Sequence, residues 1–372
     1  MFGFEPHLEY ALNRDQMDAL RPYREAFHIP KDNKGNDWLY FTGNSLGLQP
    51  KITKAVVEQE LKDWANLGVE GHFQAKNPWM PYHEYLTQSM AKIMGAKPIE
   101  VVVMNTLTAN LHLLMASFFS PTKKRPKILI ESDAFPSDRY AVQTQLEFHG
   151  YDPTDCLIEW SPRAGETLLH IEDLESLLEK QGTEIALLLI GGVNYYTGQY
   201  LDLKKIAELG HAKGCKVGID LAHGAGNIQP DLHASGVDFA AWCTYKYLNS
   251  GPGSLGGVFV HQRYAHDKNL KRFAGWWSQN KTTRFDMRQA LDITPGAEGW
   301  QLSNPPILSM AAIKASLDLF NEVGMEALRE KSIQLTGYME YLINKLNNPD
   351  IEIITPKAVS YTHLRAHETS QH

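Results

Sequence analysis

The chain has 372 residues, 43% of them hydrophobic, with a formal net charge of −7 and a pI near 6.1. That length can bury one large core with a smaller one beside it, while the acidic balance, without any run of lysine and arginine, excludes a nucleic-acid surface and favours a small-molecule partner. Cys156, Cys215 and Cys243 make neither a paired framework nor a metal-ligand spacing, and the start MFGFEPHLEY has neither region of a secretory leader, so a reducing cytoplasmic setting without metal is expected.

The first long apolar window, VVVMNTLTANLHLLMASFF (Val101 to Phe119), is interrupted by Asn105, Thr106, Thr108, Asn110 and His112. It reads as a buried strand, a polar turn and a helix, not as a membrane span. KILIES is the next strand, followed by a helical DRYAVQTQLEFHG and a strand around DCLIEW. IEDLESLLEKQG has helical spacing and a glycine stop, and it leads into the apolar strand EIALLLIGGV. LDLKKIAELGHAKG is an amphipathic helix with its own glycine stop, and KVGIDLAHG and DFAAWCTY supply two further strands. Strands that are apolar throughout, alternating with helices, imply an α/β fold with a mainly parallel sheet covered on both faces. Beyond it, ILSMAAIKASLDLFNEVG and MEALREKSIQLTGYMEYLINKLNN read as helices and IEIIT as a strand, the visible part of a smaller α+β domain. The expected division is an N-terminal segment 1–45, a large domain 46–295 and a small domain 296–372. The tail after about 357, KAVSYTHLRAHETSQH, has no apolar periodicity, so it is expected to be non-native or mobile and the small domain truncated.

In such sheets ligands collect at the carboxyl ends of the strands. Lys246 follows an apolar strand and precedes the glycine-rich NSGPGSLGG, a setting in which partial desolvation would make an amine a usable nucleophile. A lone lysine there is ordinarily a surface residue. Asp220 ends the strand VGID, where a carboxylate needs a cationic partner, either an arginine, a helix N-terminus or a protonated pyridine nitrogen. Phe135 in AFPSD could cover an aromatic ring, or merely pack in the core. NTLTAN opens a helix whose N–H groups could hold an anion, or merely be capped. Together they describe a pyridoxal-phosphate site.

The stretches YFTGNSLGLQP, GVEGHF, AFPSDRY, YYTGQYLDL, GIDLAHGAGN, WCTYKYLNSGPGSLGG, AGWW and LSNPPIL run in order from about Tyr40 to Leu308. In these motifs the chain resembles the kynureninases, pyridoxal-phosphate enzymes of the aspartate-aminotransferase fold (fold type I). The resemblance implies hydrolytic Cβ–Cγ cleavage of L-kynurenine, or 3-hydroxykynurenine, to anthranilate or its 3-hydroxy form and L-alanine, in tryptophan catabolism and towards NAD. It implies Lys246 as the lysine that carries pyridoxal 5'-phosphate, Asp220 at the pyridine nitrogen and His223 supporting that aspartate. Phe135 would stack on the ring, and Leu107, Thr108, Ser137 and Asp138 would line the phosphate and ring edge. Tyr245 would touch the phosphate and act as acid or base at the ketone. Trp276 and Asn304 would reach the cofactor and substrate across a homodimer interface, and Ser45 and His72 would meet the substrate's aryl end. By themselves, Ser45 reads as a turn hydroxyl and His72 as a solvated turn histidine. Two departures stand out. Gly191 occupies a position where the family often has serine or threonine, and no residue takes the role of the arginine that binds the substrate carboxylate, Arg365 being the only arginine in the tail. A cofactor-binding but inactive homologue is therefore one alternative. A cysteine desulfurase is another, although none of the three cysteines suits a reactive loop.

Overall fold

The computed structural model describes residues 3–356. Its centre is a sheet of seven strands: β1 Val101–Met104, β2 Lys127–Glu131, β3 Leu157–Trp160, β4 Ile185–Gly191, β5 Lys216–Asp220, β6 Phe239–Cys243 and β7 Gly256–Val260. They lie in the order β1-β7-β6-β5-β4-β2-β3, and only β7 is antiparallel to its neighbours. β1, β6 and β7 are buried at every position, and β4 is buried until Gly191. Helices on both faces require that.

The alternation of side chains divides the core between the two faces. Val101 and Val103 join Leu129, Ile190, Ile219 and Trp242 on one face, together with residues of the helices Glu84–Met94, Leu203–Ala212 and Ile307–Val323. Val102 and Met104 join Ile128, Ile130, Leu187 and Leu189 on the other, under the helices Leu107–Phe118 and Pro136–Phe148. The apolar window at 101–119 is accordingly β1, a turn and a helix, and no helix among the described residues is long and apolar enough to cross a membrane.

Gly218, in the middle of β5, shows how tightly the second face is filled. A Cβ there would lie 2.1 Å from Cζ of Phe239, whose ring stacks on Phe118 at 4.9 Å. Gly218→Ala is expected to destabilise the protein by about 1–3 kcal/mol through overpacking, measured as a lower urea midpoint at unchanged slope.

Two expectations need correction. IEIIT, residues 351–355, forms no strand, because no partner among the described residues offers it a hydrogen-bond ladder. Two of the four glycines in the glycine-rich run are not loop: Gly256 and Gly257 open β7, where a Cβ on Gly257 would lie 2.3 Å from the Trp242 ring. The N-terminal segment packs on the rest of the chain: Phe4 and Tyr10 lie against Tyr338, Tyr23 donates to Glu322 and Lys331 pairs with Asp18, tying it to the helices Ile307–Val323 and Met325–Leu346. The tail after 357, with Arg365, lies outside the described residues.

Candidate active site

The carboxyl ends of β1, β2, β4, β5 and β6 open along one edge of the sheet, and β7 begins there because it runs the other way. Asp220 is the last residue of β5 and Lys246 stands three positions beyond the end of β6. Asp220 is buried, its Oδ1 accepts the Ala222 N–H at 2.6 Å, and it is hydrogen-bonded to the side chain of Asp138, also buried. Burial raises the pKa of both acids, Asp138 far above the usual carboxylate range, while the Lys246 ammonium pulls the other way on each. The shared hydrogen bond needs one proton between two carboxylates. Asp138, the more strongly raised, holds it.

Lys246 Nζ lies 2.9 Å from His223 Nε2 and 5.9 Å from the centroid of the Phe135 ring. Burial, and secondarily the ammonium, pushes His223 down to about 3, so its ring is neutral. Lys246 therefore donates to Nε2, which leaves the ring proton on Nδ1, buried and without a partner. His223 thus meets the lysine directly in this structure.

On the other side of the opening, Thr108 Oγ1 and Ser137 Oγ are 2.9 Å apart. Leu107 and Pro136 begin the two helices that carry them, so both helix N-termini, with their free N–H groups, face this edge. Burial, followed by the neighbouring Cys243 thiol, pushes the Tyr245 phenol up to about 12. At neutral pH it is a proton donor, so the acid half of its expected role fits this environment.

The remaining predicted residues divide into two groups. The loop holding Ser45 is seated on the lysine segment: the Gly47 N–H donates to the Tyr245 carbonyl at 2.8 Å, and a Cβ on Gly47 would lie 2.2 Å from the Lys246 carbonyl oxygen. Ser45 itself is exposed. Trp276 and Asn304 lie on adjoining segments, since the Trp277 N–H donates to the Leu302 carbonyl at 3.1 Å. Both are exposed, and among the described residues no hydrogen bond or ring contact links either to Lys246, Asp220 or Phe135. His72 sits in the turn Gly71–Gln74, its Nδ1 at 2.9 Å from the Val69 carbonyl and its ring edge-on to Trp79.

Sequence reasoning overlooked Glu131. It ends β2 as Asp220 ends β5, and ILIES carried the same signal as VGID, a carboxylate closing an apolar strand. Its two oxygens accept the Gly191 N–H at 3.0 and 3.1 Å. Burial and the charges of Asp220 and Asp133 raise it to about 7, against the hydrogen bond from Gly191.

Residues 40–368 match the family model for class-V aminotransferases, so the match extends past 357, where no motif had been recognised. Among curated proteins the chain is 55% identical to the kynureninase of Myxococcus xanthus over 96% of this chain and 84% of that one. It is 54% identical to the kynureninase of Koribacter versatilis over 95% of this chain and 84% of that one. The chain belongs to the kynureninase family. Solved structures agree on the fold. The cystine C–S lyase C-DES, in a mutant with glycine covalently linked to its pyridoxal-phosphate cofactor, has a TM-score of 0.69 at 18% identity, covering 83% of this chain and 77% of that one. A cysteine desulfurase from Thermococcus onnurineus has 0.67 at 17% identity, covering 87% and 78%.

Proposed function

We infer that the chain hydrolyses L-kynurenine to anthranilate and L-alanine with pyridoxal 5'-phosphate as cofactor, adding one water across the Cβ–Cγ bond. The kynureninases at 50–55% identity over nearly the whole chain carry this reading. The residues fit the cofactor on physical grounds. The buried carboxylates Asp220 and Glu131 both close strands at this edge, and Asp138 shares its proton with Asp220, a setting that favours a cation such as a protonated pyridine nitrogen. The unpartnered Nδ1–H of His223 calls for an acceptor. When bound, the cofactor is an electron sink for the substrate carbon next to its amine.

The roles proposed for the chain's own residues follow from where they stand. Asp220 pairs with the ring nitrogen from a rigid strand end. Phe135 would lie against the cofactor ring, and Lys246 would hold the cofactor and serve as the base at the substrate α-carbon. Leu107 N–H, Thr108 and Ser137 hold the phosphate at two helix starts. Tyr245, kept protonated, donates to the ketone oxygen as water attacks. Ser45 lies beside the lysine segment and is assigned, with His72, to the aryl end of the substrate. The exposed Trp276 and Asn304 favour a homodimer in which each completes the partner subunit's site. Three reduced, buried cysteines are compatible with a cytoplasmic enzyme.

A desulfurase reading is disfavoured by the same cysteines. Burial raises all three thiols, Cys215 and Cys243 to about 11, and Cys243 lies within β6 itself. The test is to add L-kynurenine to the purified chain with pyridoxal phosphate and to quantify anthranilate by fluorescence and alanine by chromatography. Equal amounts of both are expected. Alanine without anthranilate, or neither product, would refute the reading.

A further inference from the structure

We propose that Glu131 is a positioning residue whose carboxylate, held by the Gly191 N–H in the space a side chain at 191 would fill, sets the electrostatic field in which Asp220 binds the cofactor's ring nitrogen. The proposal rests on the cofactor reading above.

Three observations carry it. Glu131 is 4% exposed at the end of β2, with both oxygens on one backbone N–H. Gly191, which holds Glu131, is the register partner of Asp220 across β4 and β5, and the charge of Asp220 acts on Glu131. A Cβ on residue 191 would lie 2.5 Å from Glu131 Oε1, closer than such contacts allow, so the carboxylate needs glycine there. The space a side chain at 191 would fill is thus occupied by a carboxylate from the neighbouring strand.

The titratable groups facing Glu131 are acidic. Asp220 faces it from β5, Asp133 from the loop after β2 and Asp138 from the helix Pro136–Phe148. Glu159 on β3 is taken up by Arg139, and Glu166 is paired with His170. No cation touches Glu131 itself among the described residues. Above neutral pH it is therefore an uncompensated buried anion beside Asp220, and it strengthens the hold of that strand end on a cation. Below neutral pH it is protonated and contributes no charge.

The test compares the dissociation constant for pyridoxal phosphate in wild type, Glu131→Gln and Gly191→Ala at pH 6 and pH 8, followed by the absorbance of the bound cofactor. Glutamine is isosteric and mimics the protonated acid, so the ratio of its constant to that of wild type is expected to be near 1 at pH 6. It should rise to about 10 at pH 8, the equivalent of one pKa unit of lost interaction. Gly191→Ala, which forces the carboxylate away, should weaken binding at pH 8 in the same direction. Glu131→Asp, which retains the charge, should keep the pH dependence of wild type if Glu131→Gln folds poorly. A ratio that does not change with pH would mean that Glu131 is only structural and would overturn the proposal. Wild type that takes up no pyridoxal phosphate would sink the cofactor reading before any variant is compared.

Discussion

Lys246→Ala will abolish the visible absorbance of the bound cofactor and lower kynurenine turnover by on the order of 10⁴-fold or more, as expected when a covalent catalytic group is removed. The fold should survive, since the lysine stands in a turn beyond β6 and its side chain fills no core position. The variant also reveals how the site is charged. His223 Nε2 loses its donor, and Asp138 and Asp220 lose the ammonium that lowers both. Their folded pKa values, already above the ordinary range, then rise further. An acid raised on folding binds more protons folded than unfolded, so stability falls as pH increases from the unfolded pKa through the folded one. Lys246→Ala should therefore lose more stability than wild type as pH rises from the unfolded aspartate pKa of about 4, read as a steeper decline in melting temperature.

Asp220→Asn is the second large effect. An asparagine Oδ1 can still accept the Ala222 N–H, so the strand end keeps its geometry and only the charge is lost. Without an anion opposite the ring nitrogen, turnover should fall by about 10²–10³-fold, the magnitude typical of one preorganised electrostatic partner. Asp138 should respond as well. Asp220 is, after burial, the strongest influence raising it, so in the variant Asp138 titrates closer to the ordinary carboxylate range. A kcat within a few-fold of wild type would remove Asp220 from the machinery.

The parts of this architecture legible in the sequence were those with local causes. ILI, ALLLI and VGI are apolar at successive positions, so both faces of their strands had to be covered, and the helices between them had their own glycine stops. Lys246 and Asp220 were visible because a charged residue at the end of such a run is costly unless it is used. Glu131 gave the same signal, but its meaning depends on Gly191, sixty residues away on the neighbouring strand. The Lys246–His223 contact had no local signature, because it depends on how the segment after β6 lies beside the end of β5. IEIIT has strand composition, but a strand also needs an edge to pair with. The packing of the N-terminal helix on Tyr338 had no local signature at all.

Borohydride reduction of the purified chain loaded with pyridoxal phosphate, followed by proteolysis and mass spectrometry, tests most directly the claim that this sheet edge is the cofactor site. The pyridoxyl group should be found on the peptide that contains Lys246, and pre-incubation with L-kynurenine should lower that labelling because the substrate amine competes for the cofactor. Labelling of a different lysine, or of none, would contradict the assignment on which the site rests.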